Sequence, residues 1–326
     1  MVSVIIATRN RCGLLDKALR ALTRQTCAHS SLEIIVADNG STDRTREVVE
    51  AYAHTVLVRY LSVPDLGKSH AINAGLAAAT GDVIALTDDD VVPAAGWIDA
   101  IGEAFEREEC DFVAGRVIPL WEVEPPKWLS PALHGVLAVR DNGIEPRWLD
   151  IGENTHIMPI GANMAVRANV FKRLGGLRTD LGKLEGTLRT GEDHELYLRL
   201  LHAGCRGLYE PRAVVEHFVP ESRLNRAYFR KWLFQNGQIV AQLEMTYPRR
   251  TTRLLRVPRY LWRAAAQDAR RWTSAKIQGH YTNGFTAAMR MTWFAGYLRA
   301  AWFGAAQAAE SPLCVNESRS SLRTSA

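Results

Sequence analysis

Short runs of β-branched and aliphatic residues alternate with amphipathic stretches over the first ninety residues. Val2–Thr8 (VSVIIAT) predicts a buried strand, and apolar residues at helical spacing over 14–22 predict a helix. Leu32–Asp38 (LEIIVAD) predicts a second strand. The turn Asn39-Gly40-Ser41 follows it, then a helix over 42–53 and a third strand over 56–63. A small-residue helix over 69–79 stops at Thr80-Gly81, and 82–87 predicts a fourth strand. Strand–helix alternation of this kind implies an α/β fold: a Rossmann-like, mostly parallel sheet sandwiched by helices.

Farther on, 112–118 predicts another strand, and 119–131 is rich in Pro and Trp and irregular. The segment 161–170 leads into a helix, 175–191 is a Gly-rich loop, Glu192–His202 predicts a helix and 214–217 a last short strand. Beyond that the pattern is helical and basic. Arg253, Arg256, Arg263, Gln267 and Arg270 recur at helical spacing, with Leu254, Leu261 and Ala265 on another face. Met291, Phe294, Leu298 and Trp302 form an apolar stripe with Trp293 and Tyr297 alongside. Two readings stand here. One is an interfacial helix lying on an anionic membrane surface. The other is a helical hairpin packed on the rest of the chain or on a second subunit, since such a stripe is also the signature of core packing. After Pro312 the chain is Ser/Arg-rich and predicts disorder. The expected division is an α/β domain over 1–220 with halves 1–118 and 119–220, a basic helical extension C-terminal to the α/β domain over 221–311, and a tail over 312–326.

Composition sharpens this picture at three points. A chain of 326 residues, 47% of them hydrophobic, suffices for one large α/β domain with an appendage. From Glu221 onward 17 Lys and Arg face 5 Asp and Glu, a net +12; the preceding residues carry 23 against 30, a net −7. An acidic front suits a cation, and a basic back suits an anionic partner. No nucleic-acid-binding motif accompanies the charge, so nucleic acid is not the expected partner. Cys12, Cys27, Cys110, Cys205 and Cys314 are scattered, odd in number and without C-x-x-C spacing, which points to a reducing compartment. The N-terminus shows no basic region before its apolar run and no cleavage site, and no run of about 18 uncharged apolar residues occurs. A cytoplasmic location, peripheral to the inner face of the membrane if the extension binds lipid, is the expectation.

The polar residues that end the predicted strands share one edge. Strand one ends at Thr8, strand two at Asp38 and strand four at Asp88-Asp89-Asp90, and open α/β sheets bind ligands at that edge. Three adjacent carboxylates repel one another, and a divalent cation with a preference for oxygen ligands, Mg²⁺ or Mn²⁺, relieves the repulsion; a solvated acidic turn is the plainer alternative. Asp38 can accept from a nucleobase N–H or merely close its own turn. Lys68 beside a helix N-terminus suits a diphosphate, although the G-x-x-x-x-G-K-[ST] pattern is missing. Glu192-Asp193 opens a helix: paired carboxylates suit a general base, while acids at a helix N-terminus also complement the dipole. His217, ending an apolar strand, is either a metal ligand or a satisfied structural histidine.

Taken together, these residues resemble family 2 of the inverting glycosyltransferases, with the A-type nucleotide-sugar-binding fold. The opening strand and polar turn are Val4-Ile5-Ile6-Ala7-Thr8-Arg9-Asn10. The second-strand Asp and its turn are Asp38-Asn39-Gly40-Ser41-Thr42-Asp43. The G-K-x-x-A-x-N-x-G helix begins at Gly67-Lys68 and holds Asn73. The D-x-D motif is Asp88 to Asp90, the acceptor-side G-x-N is Gly161-Ala162-Asn163, the E-D pair is Glu192-Asp193 and the late His is His217. The match runs from Met1 to about Gly237. Two positions depart from the pattern: Ala7-Thr8-Arg9-Asn10 replaces the usual Pro and Tyr-Asn, and Ile72 stands where an Arg often precedes Asn73. The Q-x-x-R-W motif of long-chain polymerases is missing, although Arg230-Lys231-Trp232 lies near its place, so single-sugar transfer is implied.

The resemblance implies a nucleotide-diphosphate sugar donor, commonly UDP-linked, and a glycan or lipid-linked acceptor. It implies that Thr8, Arg9, Asn10, Asp38, Lys68, Asn73, Asp88 and Asp89 contact the donor, and that Asp88, Asp90 and His217 hold Mn²⁺ or Mg²⁺. Asp193 would be the base, Glu192 would orient the acceptor, and Gly161 and Asn163 would lie on the acceptor side. Two alternatives of other classes remain at this point: a sugar-phosphate nucleotidylyltransferase, disfavoured by the single Gly in residues 9–13, and a non-catalytic nucleotide-sugar-binding module. A dinucleotide oxidoreductase is disfavoured because G-x-G-x-x-G is missing after strand one.

Overall fold

The computed structural model describes residues 1–25, 31–54, 57–149, 158–182, 191–248 and 251–304. The predicted tail over 312–326, part of the Gly-rich loop, Cys27 and Cys314 lie outside them. The chain divides into two compact units, Met1–Phe229 and the residues from Arg230 onward.

In the first unit the strands are β1 (Val2–Thr8), β2 (Leu32–Asp38), β3 (Leu57–Ser62), β4 (Val83–Asp88), β5 (Val91–Pro93), β6 (Phe112–Trp121), β7 (Arg147–Leu149), β8 (Met164–Arg167) and β9 (Gly207–Val219). The helices are α1 (Cys12–Leu22), α2 (Thr45–Ala51), α3 (Lys68–Ala78), α4 (Trp97–Arg107), α5 (Ala168–Leu174) and α6 (Glu192–His202). The sheet order is β3-β2-β1-β4-β8-β6-β9-β5, with β7 beside β9. β3, β2, β1 and β4 run parallel. β8 enters antiparallel to both β4 and β6, and β5 is antiparallel to β9.

Both sheet faces are covered, as the near-continuous apolar strands require. On one face Val4, Ile6, Ile34 and Val36 pack with Leu15 and Leu19 of α1 and with Trp97, Ile98 and Ile101 of α4. On the other, Ile5, Ile84, Leu86 and Met164 pack with Ile72 of α3, Phe171 of α5 and Leu196 and Leu200 of α6. This is the helix-sandwiched, mostly parallel sheet that the pattern predicts. It differs in detail where 161–170 was expected simply to lead into a helix: a short 3₁₀ turn (Gly161–Asn163) and β8 come first. Ala165 is buried on one face of this central strand and Met164 and Val166 on the other, and packing on both sides outweighs local propensity there. α4 was not part of the alternation, yet its apolar positions at helical spacing bury Trp97, Ile98, Ile101 and Phe105.

The second unit contains most of α7 (Arg226–Thr246), a two-strand hairpin of β10 (Arg253–Leu254) and β11 (Val257–Pro258), α8 (Arg259–Gln278) and α9 (Tyr281–Phe303). α7 and α9 approach closely at two glycines: a Cβ on Gly237 would lie 2.1 Å from Trp293 O, and one on Gly296 would lie 2.0 Å from Phe234 O. The predicted stripe is used inside this unit. Phe294 and Leu298 pack with Trp262, Val240 and the buried Ala241, Val257, Leu261 and Tyr297. Among the described residues no helix is long and apolar enough to cross a membrane.

Candidate active site

Strand register gathers the polar ends. Thr8 pairs with Asp38 across β1 and β2, and Ala7 pairs with Asp88 across β1 and β4. Thr8, Asp38 and Asp88 therefore lie along one carboxyl edge of three adjacent parallel strands. The turn after β4 carries Asp89 and Asp90 into β5, where Val91 pairs with His217 of β9. Phe218 N donates to Asp90 O at 2.8 Å, which locks that turn onto β9.

Asp90 Oδ1 is 3.4 Å from His217 Nε2, and Asp90 Oδ2 is 3.0 Å from Arg11 Nη1 and 3.6 Å from Arg223 Nη2. Asp89 turns the other way: it accepts from Thr8 Oγ1 and from Arg11 Nη1, each at 2.9 Å. Asp88 pairs with the Lys68 ammonium at 2.6 Å. Burial pushes the Asp89 carboxyl up to about 6, against the pull of Arg11. Burial works on Asp88 in the same direction, but Lys68 dominates and holds it below the ordinary carboxylate range. Burial disfavours charge on Lys68, yet the fields of Asp88, Asp193 and Glu192 keep it protonated.

One ligand atom each from Asp88, Asp90 and His217 falls within 4.8 Å of the others. His217 Nδ1 is buried without a hydrogen-bond partner, and burial holds the imidazole below its usual pKa and therefore neutral. Two carboxylates and a neutral imidazole suit a divalent cation such as Mn²⁺. The triplet thus divides its work: its outer members face His217 and Lys68, and its middle member ties β1 to the β4 turn.

Glu192 and Asp193 start α6. Gly161 N donates to Asp193 Oδ2 at 2.9 Å. A Cβ at residue 161 would lie 2.4 Å from Asp193 Oδ1, so only glycine admits the carboxylate there. Glu192 Oε2 accepts from Gly191 N at 3.0 Å. Burial, then the like charge of Asp193, pushes Glu192 up to about 7; burial also raises Asp193. The helix itself is anchored by Arg199, which pairs with Glu195 at 3.1 Å and donates to the carbonyls of Leu174, Gly175 and Gly176.

The remaining predicted residues serve mainly as scaffold among the described contacts. Asp38 accepts from Ser41 N and from the Tyr60 hydroxyl at 2.7 Å. Asn10, at φ 53°, receives Thr42 N on its side chain and donates its own N–H to Ser41 Oγ, joining the loops after β1 and β2. Asn73 exchanges two hydrogen bonds with the Leu177 backbone. Asn163 accepts from Trp97 Nε1 and donates to Arg116 O and Ala213 O. Arg9 is half-buried beside this edge. Sequence reasoning missed Arg11, Tyr60 and Arg223. Only the position of Arg11 directly after Asn10 hinted at it; Tyr60 and Arg223 reach the site through tertiary contacts alone.

The model of glycosyl transferase family 2 matches residues 3–175, more than half the chain. The chain belongs to glycosyl transferase family 2. Among curated relatives, a pre-mycofactocin glycosyltransferase of Mycobacterium tuberculosis is 30% identical over 259 residues, 78% of this chain and 50% of that protein. The chain thus spans half the length of that relative. The succinoglycan biosynthesis protein ExoM of Rhizobium meliloti is 27% identical over 234 residues, 70% of this chain and 71% of that one. A mannosyltransferase from Pyrobaculum calidifontis, solved with GDP-Man and Mn²⁺, superposes with a TM-score of 0.62 at 20% identity, covering 92% of this chain and 87% of that chain.

Proposed function

We propose that the chain transfers a sugar from a nucleotide-diphosphate donor to an acceptor hydroxyl with inversion at the anomeric carbon. The observation that carries this reading is the placement of three carboxylates around Lys68: Asp88 touches its ammonium, and those of Glu192 and Asp193 act on it through space. A donor whose diphosphate lies at Lys68 and the Asp88, Asp90 and His217 cluster has its anomeric carbon toward Asp193. Residues 1–118 then serve the donor and 119–220 the acceptor.

The chain's own groups supply the following steps. Asp38 and Thr8 border the nucleoside, with Arg9, Asn10, Asn73 and Asp89 completing the donor side. Asp193, held by Gly161 N, takes the proton of the acceptor hydroxyl as that oxygen bonds to the anomeric carbon. The bond from that carbon to the β-phosphate oxygen breaks, and the electron pair leaves with the nucleoside diphosphate. Glu192 orients the acceptor, and Lys68 meets the departing charge. A divalent cation held by Asp88, Asp90 and His217 would neutralise charge developing on the leaving diphosphate.

The donor we favour is a UDP-sugar, the common case for the family, and the acceptor a glycan or a lipid-linked sugar in cell-surface polysaccharide or glycolipid synthesis. The Rhizobium relative, named for succinoglycan biosynthesis, supports a polysaccharide role. We place the protein in the cytoplasm, at the inner face of the membrane. A donor panel decides the base: UDP-, GDP- and dTDP-sugars are incubated with the protein and Mn²⁺, and release of each nucleoside diphosphate is measured. Release of pyrophosphate instead, or no turnover of any donor with any hydroxyl acceptor, sinks the reading.

A further inference from the structure

Phe294 and Leu298 of the α9 stripe pack inside the second unit, but Trp302 at its end belongs to an apolar surface that is left over. At the tip of the β10–β11 hairpin Leu254 and Leu255 are 53% and 65% exposed. At the end of α9 Trp302 and Phe303 are 39% and 80% exposed. These four residues form one patch: Trp302 Nε1 donates to Leu255 O at 2.8 Å, and the Trp302 and Phe303 rings lie 6.4 Å apart. Trp262 Nε1 fixes the neighbouring carbonyl, Leu254 O, at 3.1 Å. Both turn carbonyls are thus held by indole N–H groups, and Leu254, Leu255 and Phe303 stay more than half exposed.

The turn itself argues that those side chains matter. Leu255 and Arg256 sit at φ 50° and 66°, where a non-glycine residue costs roughly 1–2 kcal/mol. Asn-Gly would relieve this and is the common choice for such a turn. A leucine and an arginine stand here instead.

The surrounding charge is of one sign. No Asp or Glu occurs from Met245 through Gln267, while Arg253, Arg256, Arg259 and Arg263 fall in the hairpin and the first turns of α8. Arg299 adds to the α9 side. The nearest carboxylate on the neighbouring helix, Glu244, is buried and bonded to the Tyr297 hydroxyl at 2.6 Å, with Arg253 3.6 Å away. Farther along α8, Asp268 is paired with Arg271 and Arg290. Exposed leucines and aromatic rings in a segment whose charges are arginines suit the boundary of an anionic bilayer: rings and leucines enter the acyl edge while guanidinium groups meet phosphate. A second copy of the chain is a poor occupant, because it would bring a like-charged rim.

We infer that the hairpin tip and the end of α9 form a docking surface for an anionic lipid bilayer. This does not depend on which sugar or nucleotide is used.

The test is flotation of the full chain with vesicles of phosphatidylcholine alone and of phosphatidylcholine with phosphatidylglycerol. The full chain floats with the anionic vesicles, and binding weakens as salt rises. Leu254→Ser with Leu255→Ser lowers the partition coefficient at least about tenfold, and Arg256→Gln lowers it about fivefold. Brominated lipid quenches the unmodified protein's tryptophan emission more than that of Trp302→Phe, a readout independent of whether the double variant folds. Equal binding to neutral vesicles, no binding at low salt, or a self-association abolished by the same substitutions without any vesicle binding overturns the inference.

Discussion

The Gly161 amide donates to the Asp193 carboxylate at 2.9 Å, in a space that a single methyl group would fill. That bond links the 3₁₀ turn before β8 to the first turn of α6, and it aims the proposed base. Asp193→Asn keeps the shape and removes the proton acceptor, so turnover should fall about 10²- to 10⁴-fold while donor binding survives. Gly161→Ala should lower kcat by displacing the carboxylate. Because burial raises the Asp193 pKa and the base must be deprotonated, activity is lost as pH falls, through an acid limb above the ordinary aspartate range of about 3.9. Wild-type kcat in Asp193→Asn rules out this assignment.

The cluster of Asp88, Asp90 and His217 predicts a divalent requirement. Asp90→Ala and His217→Ala should each abolish stimulation by Mn²⁺ or Mg²⁺ and weaken donor binding. Titration calorimetry of a nucleotide-diphosphate sugar with Mn²⁺ and with EDTA checks this; equal affinity in both buffers contradicts it.

Asn163 holds three partners from three elements: Trp97 of α4, Arg116 of β6 and Ala213 of β9. Asn163→Ala removes the hydrogen bond from Trp97 and those to the carbonyls of Arg116 and Ala213 and should cost ~3 kcal/mol. Chemical denaturation measures this. A variant of unchanged stability but weaker acceptor binding would instead support direct acceptor contact by this side chain.

Glu33, fully buried at the opposite end of the sheet, accepts from the Ser3 hydroxyl and from Thr80 N and Oγ1, with Arg59 nearby. Burial opposes its charge, but these donors prevail and bring its pKa below the ordinary range. A carboxyl lowered on folding stabilises the native state fully above the ordinary glutamate value of about 4.3 and loses that contribution as pH falls through the lowered value. Thermal unfolding of wild type and Glu33→Gln should therefore differ most near neutrality and converge in acid. A constant gap from neutral pH to strong acid is incompatible with this role.

The strands of the parallel half were legible because each is buried on both faces and bounded by turn residues, and the C-terminal edge followed from their order. Asp88, Asp90, Glu192 and Asp193 stood out in the sequence as adjacent carboxylates, but a solvated turn and helix-dipole acids fitted the same residues, and only the resemblance as a whole singled them out. The antiparallel strand β8 was not, since Met164–Arg167 carries no local signal apart from the neighbours it fills between. The helical stripe of α9 was visible, but whether each member faced inward depended on partners distant in sequence: Phe294 and Leu298 pack with Trp262 and Val240, while Trp302 stays at the surface.

Local periodicity and burial pattern thus determined the alternation of elements, the covered sheet and the edge at which chemistry collects, because those depend on residues within a few turns of one another. Tertiary structure alone decided which member of the acidic triplet meets His217, which meets Lys68 and which is held by Thr8 and Arg11. The physical reason is that three adjacent carboxylates are alike in sequence, and their directions are set by the register of β5 on β9 and by cations contributed from 20 to about 130 residues away.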